Sequence, residues 1–247
     1  MKLNRKWLHE EFVDLSHVSD KEYVEKLTVF GQKVETWERM DSEIKNVVVG
    51  KVLDIVRHEN SDHMWVCQID VGEEEPVQIV TGAQNVKVGD MVPVAKHKST
   101  LPGGVKIERG KLRGVVSNGM FCGVEELGMT PNDYPDAISD GLLILKEGIV
   151  GRDIREQLGI DDTVFEADIM TNRPDCLSVI GLARETAVSF DRKLTVKAPE
   201  VKGACDGDKV ENYIKVGISA PDLCYRYAAR VVKNVKIAPS PLWMRMR

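Results

Sequence analysis

Short apolar stretches separated by turn residues dominate the sequence between residues 34 and 145. Residues 47–56 form the longest of them, and the glycine inside it, Gly50, indicates a bend or a bulge. Residues 64–71 alternate apolar and polar side chains, and two shorter stretches follow after glycine-containing turns. Several short strands with turn signals between them are typical of a sandwich or a barrel. Length and pattern together favour a small closed barrel of about five strands.

Helical patterns flank these strands. The segment before them has apolar side chains at helical spacing and contains the capping box Ser19-Asp20-Lys21-Glu22. An alternating strand at 164–169 and a helix over about 178–190 follow the strands. Two short helices cannot bury a core alone. We therefore expect residues 1–40 and 149–195 to form one discontinuous α/β domain, into which a barrel domain of residues 41–148 is inserted.

The C-terminal part of the sequence predicts a further unit. Residues 196–210 are polar and contain glycine and aspartate, which indicates a linker. Alternation at 214–218 and a second stretch at 225–232 predict two strands, and Ser240-Pro241 predicts a helix with serine as its N-cap. Two strands and a short helix are not a domain. We expect residues 211–247 to be the truncated start of another α/β domain in a longer protein.

The charge distribution is uneven. The formal net charge of the 247 residues is −5, which argues mildly against a general nucleic-acid binder. Between residues 86 and 114, however, seven cations are opposed only by Asp90 and Glu108. This basic segment fits a module that touches RNA inside a larger assembly, and it equally fits a solvated lysine-rich face. Charge alone leaves both interpretations open.

Residues 111–123, Lys-Leu-Arg-Gly-Val-Val-Ser-Asn-Gly-Met-Phe-Cys-Gly, combine cations, a Ser-Asn-Gly turn and a short apolar run. The pattern predicts a strand and a turn with a polar, cationic rim. It resembles the signature of the tRNA-binding OB-type module, so the expected class is α+β with an OB-fold barrel. OB modules bind strands on one barrel face and its loops. The RNA-binding candidates are Lys96, Lys98, Lys106, Arg109, Lys111, Arg113, Ser117 and Asn118.

Further motifs occur in a fixed order along the whole chain, at residues 58–64, 79–86, 170–178, 181–185 and 225–230. Together they resemble the N-terminal part of the bacterial phenylalanyl-tRNA synthetase beta subunit. The Asn-Arg-Pro-Asp-Cys-Leu block within 170–178 distinguishes this family from other tRNA-binding modules. The first motif departs from the family pattern, His-Pro-x-Ala-Asp-x-Leu, at Glu59 and Met64.

This resemblance implies a cytoplasmic enzyme of two alpha and two beta subunits that joins phenylalanine to tRNA(Phe) using ATP and magnesium. The alpha subunit then carries the aminoacylation site, and the beta subunit carries tRNA contacts and an editing domain for tyrosyl-tRNA. The editing domain would begin near Glu211, with its pocket and the family's magnesium ligands beyond Arg247.

We therefore expect no catalytic residue, metal ligand or cofactor within this chain. Purified alone, it should neither activate phenylalanine nor hydrolyse tyrosyl-tRNA. The alternative is a free-standing OB-fold RNA-binding or assembly module, related to the family only through its barrel. Continuation of the sequence into an editing domain would favour the first hypothesis.

Several other residues have a structural and a functional interpretation. His58, His63 and Cys67 lack a fourth zinc ligand at matching spacing, which favours loop residues and a core cysteine. Cys122 and Cys176 have no neighbouring base that would activate a thiol. The five cysteines are odd in number and widely spaced, which favours reduced thiols in the cytosol.

Arg173 and Asp175 flank Pro174. They predict an ion pair that fixes the loop, with tRNA or subunit contact as the alternative. Trp7 and Trp65 each lie in an apolar pattern. That pattern favours core burial over base stacking.

Overall fold

The computed structural model describes residues 1–135, 137–138, 141–200 and 209–247. They separate into two units, of which the first contains Met1–Thr195 with Ser240–Arg247 and the second contains Val196–Pro239. Residues 201–208, which form most of the predicted linker, lie outside the described residues. Within the described ranges, no helix is long and apolar enough to cross a membrane.

The helices and strands follow one another in a β-rich order. In chain order they are β1 (Lys2–Asn4), α1 (Arg5–Glu11), α2 (Asp20–Phe30), β2 (Lys33–Arg39), β3 (Lys45–Arg57), β4 (Trp65–Asp70), β5 (Val77–Thr81), β6 (Met91–Leu101), β7 (Val105–Ile107), β8 (Gly110–Leu112), β9 (Val115–Ser117), β10 (Gly119–Phe121), α3 (Ile154–Leu158), β11 (Thr163–Asp168), α4 (Val179–Ser189) and α5 (Leu242–Arg245). Single turns of 3₁₀ helix lie at Pro102–Gly104, Glu125–Leu127, Pro174–Cys176 and Val210–Asn212.

A three-stranded antiparallel sheet in the order β1-β11-β2 supports the first hydrophobic core. Helices α2 and α4 contribute apolar side chains to the same core, and Tyr23 lies at its centre, fully buried. The Tyr23 ring stacks on Phe165 of β11 with 4.5 Å between centroids, and its hydroxyl lies 2.9 Å from Oγ1 of Thr186 in α4. One side chain therefore joins both helices to the sheet.

Serine caps begin both of these helices, and the sequence predicts the one at Ser19. The Ser19 hydroxyl accepts a hydrogen bond from the Glu22 N–H at 3.2 Å, and the Ser178 hydroxyl accepts one from the Gly181 N–H at 3.0 Å. Each bond satisfies a backbone donor that the first helical turn leaves without an intrahelical partner. The helix starts are thus fixed by residues adjacent in sequence.

The barrel sheet is antiparallel and curled, with the strand order β10-β6-β3-β4-β5 and with β7 paired to β6. Between residues 47 and 52, its long central strand β3 buries side chains on both faces because successive side chains point to opposite sides, whereas Leu53 and Val56 are exposed. Val52 packs with interior residues of β4, β5 and β6, whereas Val47 and Val49 pack with α3 on the other face. Strand β3 therefore contributes side chains to two hydrophobic clusters, one on each of its faces.

Gly50 has a different role from the predicted bend. The pairing of β3 is irregular between Val52 and Asp54 and between Lys45 and Val47, but it is regular at Gly50. A Cβ atom at Gly50 would lie 2.6 Å from Val94 Cγ2 and 2.7 Å from Ile69 Cγ2. Glycine is needed there because the barrel interior leaves no space for a side chain.

The chain enters and leaves the barrel at one place. Arg39 of β2 is the register partner of Thr163 in β11, and the Met40 N–H donates to the Asp162 carbonyl at 3.0 Å. Helix α3 belongs to the barrel side of this junction, because Ile154 and Leu158 pack in the cluster that contains Val47 and Val49. The sequence-derived boundary at residue 149 assigns α3 to the flanking domain instead.

The strands predicted at 214–218 and 225–232 are absent from the described part of the second unit. The apolar side chains there are largely exposed; Tyr225 and Leu223, for example, are 90% and 82% exposed. Alternation shows that a segment could form a strand, but a two-stranded ribbon without a packed face is marginally stable. The prediction of these strands is wrong for this chain.

The predicted helix after Ser240 exists as α5, but its N-cap is Pro241 and no side chain bonds to it. The helix start is thus one residue later than the Ser-Pro pattern indicates. Met246, next to its end, is buried in the α3 cluster, and its carbonyl accepts a hydrogen bond from the Asn4 side chain at 3.1 Å.

Candidate nucleic-acid interface

A two-residue hairpin presents the cations at the centre of the basic segment. Strands β8 and β9 pair with Leu112 opposite Val115, so Arg113 and Gly114 form the loop. Both loop residues have positive φ, 47° and 93° respectively, as the primed turns of tight hairpins require. Lys111 and Arg113 are consequently exposed, at and beside the hairpin tip.

The loop between β3 and β4 holds this hairpin in place. His58 is buried, and its Nε2 lies 3.0 Å from the Leu112 carbonyl, while its Nδ1 accepts a hydrogen bond from the Asn60 N–H at 3.0 Å. The proton is therefore on Nε2, which donates to Leu112. Arg113 returns a bond from its Nη1 to the Asn60 carbonyl at 3.1 Å. With both ring nitrogens engaged by backbone groups, His58 is a tether between two loops rather than a free metal ligand.

The Ser-Asn-Gly turn joins the hairpin to the barrel. Ser117 is buried, and its hydroxyl accepts a hydrogen bond from the Val80 N–H at 3.0 Å and donates one to the Gly119 carbonyl at 2.8 Å. The Asn118 N–H donates to the Gln78 carbonyl at 2.9 Å. A Cβ on Gly119 would lie only 2.4 Å from the Ala95 carbonyl oxygen, so glycine permits the close approach of β10 to β6. The Ser117 hydroxyl thus uses its hydrogen bonds within the barrel, with Val80 and Gly119.

The remaining candidates lie on β6, β7 and the segment after β7. Lys98, Lys106 and Arg109 are exposed, and Lys98 has a positive φ of 66°. The Arg109 N–H donates to His97 Nδ1 at 3.0 Å, which links the segment after β7 to β6. Lys96 differs from the others because its Nζ lies 2.9 Å from Oε1 of Glu73, in the turn between β4 and β5.

Trp65 packs against the barrel core, as predicted, but it is only partly buried. Its ring lies under the Arg57 guanidinium, 5.2 Å from the ring centroid, and its Nε1 donates to Gln84 Oε1 at 3.2 Å. Trp7 is also partly buried rather than in the core. A strand pattern identifies which face a side chain is on, but not how much of a large ring the neighbours cover.

The Arg173 loop is fixed by ion pairs, as the structural interpretation predicts. The guanidinium bonds both carboxylate oxygens of Asp175, at 3.1 and 2.9 Å, and also contacts the Glu185 carboxylate. This pairing lowers the pKa of Asp175 and raises that of Arg173. Asp175, Cys176 and Glu185 lie close enough together to suggest a metal site, but the Arg173 guanidinium already bonds both carboxylates there.

The cysteines of the described residues are free thiols: Cys67, Cys122, Cys176 and Cys224. Burial raises the pKa of Cys122 to about 12 and that of Cys67 and of Cys176 to about 11. Thiols with such pKa values are protonated at neutral pH and are poor nucleophiles. Cys205 lies outside the described residues.

Comparisons with known proteins agree with this geometry. Residues 47–146 match the family model described as a putative tRNA binding domain. Over its whole length the chain is 49% identical to the phenylalanine–tRNA ligase beta subunit of Clostridium acetobutylicum and 44% identical to that of Geobacillus kaustophilus. The chain is a homologue of the bacterial phenylalanine–tRNA ligase beta subunit. It spans 30% of the length of these relatives.

The segment that matches the tRNA-binding family contains most of β3, all of β4 to β10 and every candidate residue. With the curled antiparallel sheet, this match confirms the predicted α+β class and OB-type barrel. Among solved structures, the C-terminal domain of Plasmodium vivax p43 is similar, with 22% identity and a TM-score of 0.31 over 44% of this chain and 58% of that one.

Sequence reasoning missed three side chains of this homologue's basic region: Arg57, Glu73 and His97. Glu73 and His97 both contribute to the surroundings of Lys96, but neither belongs to a sequence motif that would have indicated this. Arg57 ends β3, and its position over Trp65 follows from the register that pairs these two residues. That register was the one signal from which the contact could have been predicted.

Proposed function

We propose that the barrel of this chain binds tRNA(Phe) through the β8–β9 hairpin and the neighbouring cations of β6 and β7. The observation that carries the proposal is that most of these cations have no carboxylate partner among the described residues. Lys98, Lys106, Arg109 and Lys111 form no ion pair with any described residue, whereas cations elsewhere, such as Arg155 and Arg173, are paired with carboxylates. Exposed cations without a carboxylate partner are available to neutralise phosphates.

Rigidity supports the same function. Contacts from His58 and Asn60 hold the hairpin tip, so little conformational freedom is lost when Lys111 and Arg113 meet a phosphate. The affinity of this chain alone should be weak because its net charge is −5 and few phosphates can be neutralised. It should also fall steeply with salt as counterions are released.

In the whole enzyme, this barrel would act beside an alpha subunit, in an assembly of two alpha and two beta subunits located in the cytoplasm. That enzyme would attach phenylalanine to tRNA(Phe) using ATP and magnesium, with the aminoacylation chemistry in the alpha subunit. The part proposed for this chain is tRNA contact and scaffold, and residues 211–247 would begin the editing domain. The family resemblance supports these assignments.

We also propose that the barrel is an insertion in a discontinuous flanking domain. The adjacent positions of Arg39 and Thr163 support it, because an insert is best tolerated where its two ends meet. The packing of α3 favours boundaries near residues 41 and 161 over those at 41 and 148.

A salt titration of tRNA(Phe) binding tests the RNA proposal. The double variant Lys111→Glu, Arg113→Glu should bind more weakly than the wild type, and its log–log salt slope should be shallower by about one unit for each phosphate that is no longer neutralised. The matched control is Lys2→Glu, Lys193→Glu, which changes the same charge on exposed residues outside the barrel. A slope equal to that of the wild type, or equal losses of affinity in both variants, would remove the hairpin from the interface.

A further inference from the structure

A cleft of about 370 Å³ lies beside the Ser-Asn-Gly turn of the barrel. Its lining includes four side chains with donor groups, Asn46, Lys96, His97 and Asn118, and two carboxylates, Glu73 and Glu75. The carboxylates belong to the turn between β4 and β5, which carries three consecutive glutamates, Glu73 to Glu75. An acidic turn thus borders the basic region.

Two neutral donors in this cleft are available to a ligand, and a third, the Lys96 ammonium, is paired with Glu73. His97 Nδ1 accepts the Arg109 N–H, so the His97 proton is on Nε2. The side-chain amide of Asn118 makes no hydrogen bond with any described residue, because only its backbone N–H is used. Lys96 supplies the ammonium group. One charged and two neutral donors are the kind of groups that bind a phosphodiester.

The Lys96 ammonium forms an ion pair with the Glu73 carboxylate in this structure. The distance between Glu73 Oε1 and Lys96 Nζ is 2.9 Å, and the two side chains are 52% and 24% exposed. A carboxylate oxygen and a phosphate oxygen accept from an ammonium in the same way. An ion pair this exposed contributes little free energy, so a phosphate can displace the carboxylate.

We propose that this cleft binds a backbone phosphate of RNA through Lys96, His97 and Asn118, and that Glu73 takes the place of this phosphate in the unbound protein. The inference rests on the proposed tRNA-binding function and adds a subsite to it. The carboxylate competes with every polyanion, so an RNA must gain contacts elsewhere on the barrel to open the cleft. Glu73 therefore lowers affinity and favours RNAs that also reach the β8–β9 hairpin.

The test is a variant that should bind tRNA more tightly, a result that misfolding does not produce. Glu73→Gln removes the competing charge and should tighten the binding of tRNA(Phe) by the full chain about two- to fivefold, the range that exposed ion pairs allow. The log–log salt slope should steepen by up to about 0.9, because Lys96 no longer has to leave Glu73 and its contact with the phosphate then releases counterions in full. Glu74→Gln is the matched control, because Glu74 lies in the same turn and pairs with no described residue. It should change affinity less than twofold.

The Lys96→Gln background completes the experiment. There, Glu73→Gln should tighten binding no more than Glu74→Gln does, since the ammonium for which Glu73 competes is gone. A gain that persists in this background would make Glu73 a source of general repulsion and overturn the proposal, as would equal effects of Glu73→Gln and Glu74→Gln. If the hairpin variant Lys111→Glu, Arg113→Glu still weakens binding in that case, the tRNA-binding function stands and only the subsite fails.

Discussion

The Val80 N–H donates a hydrogen bond to the Ser117 hydroxyl at 3.0 Å, and this bond joins β5 to the end of β9. Strand β5 is the last member of the main strand order, and the Asn118 N–H also bonds to it, at the Gln78 carbonyl, 2.9 Å away. A hydroxyl suits this position because it accepts from Val80 and donates to Gly119 at the same time. The serine of the Ser-Asn-Gly turn therefore helps to close the barrel next to the cationic hairpin.

Replacing Ser117 with alanine should destabilise the chain by about 1–3 kcal/mol, because the buried Val80 N–H and the partly buried Gly119 carbonyl both lose the hydroxyl as a partner. Urea unfolding measures the free energy. The control Ser42→Ala, at an exposed serine, should stay within about 0.5 kcal/mol of the wild type. The salt slope of tRNA binding should not change, and a shallower slope would mean that Ser117 contacts the RNA itself.

Replacing His58 with alanine should loosen the β8–β9 hairpin, because the Leu112 carbonyl and the Asn60 N–H lose the ring that joins them. Hydrogen exchange should then be faster at the paired residues of β8 and β9. The affinity for tRNA should fall severalfold at an unchanged salt slope, since the cations are still present. His63→Ala, at an exposed histidine in the same loop, should leave exchange unaltered. Equal protection in both variants would contradict the tether.

Local signals in the sequence predicted the parts of the fold that depend on neighbouring residues. The cap at Ser19 is an example, because the bonded atoms are three residues apart. The prediction of strands at 214–218 and 225–232 is wrong because strand formation depends on residues that are distant in sequence. Alternation reports an amphipathic segment, whereas a strand also needs a partner and a core.

The candidate site shows the same limit. The sequence identifies the cations of residues 96–113 because charge is visible in composition. It does not show that Lys96 pairs with Glu73, 23 positions away. Nor does it show that the Ser117 hydroxyl is hydrogen-bonded to Val80, 37 positions away. Both facts arise from the barrel register, which brings distant residues together. Position on a face is thus predictable, and availability for a ligand is not.

Replacing Asp153 with asparagine should make stability less dependent on acid. Hydrogen bonds from Arg155 lower the pKa of Asp153 below 3.8. Because the folded-state pKa is the lower one, the carboxylate stabilises the fold above the unfolded-state pKa and this contribution is lost as the pH falls through the folded-state value. Asparagine keeps the N-cap of α3 but not the charge. We expect a loss of about 1 kcal/mol at pH 7.

Urea unfolding across the pH range checks this expectation. The difference between the wild type and Asp153→Asn should shrink once the pH falls below 3.8 and should disappear in stronger acid. Asp62→Asn, at an exposed aspartate, should show no comparable difference at any pH. A difference that is constant with pH would assign the effect of Asp153 to packing rather than to its charge.

Excising the barrel should leave a folded flanking domain. Arg39 and Thr163 are antiparallel partners and Met40 bonds to Asp162, so an Asn-Gly turn in place of residues 41–161 would close a regular two-residue hairpin. The core around Tyr23 and Phe165 contains no residue of the excised segment. We therefore expect circular dichroism of a mixed α/β protein and cooperative unfolding, with reduced stability because the remaining domain is small.

A register control makes this experiment decisive. Removing Met40 as well shifts β2 by one residue against β11, which turns its side chains to the wrong face of the sheet. That variant should be unfolded, whereas the Asn-Gly variant should be folded and residues 41–161, produced separately, should form the barrel with α3. If the Asn-Gly variant and its register control are equally unfolded, the flanking elements depend on the barrel for their core, and the insertion is not independent of its host domain.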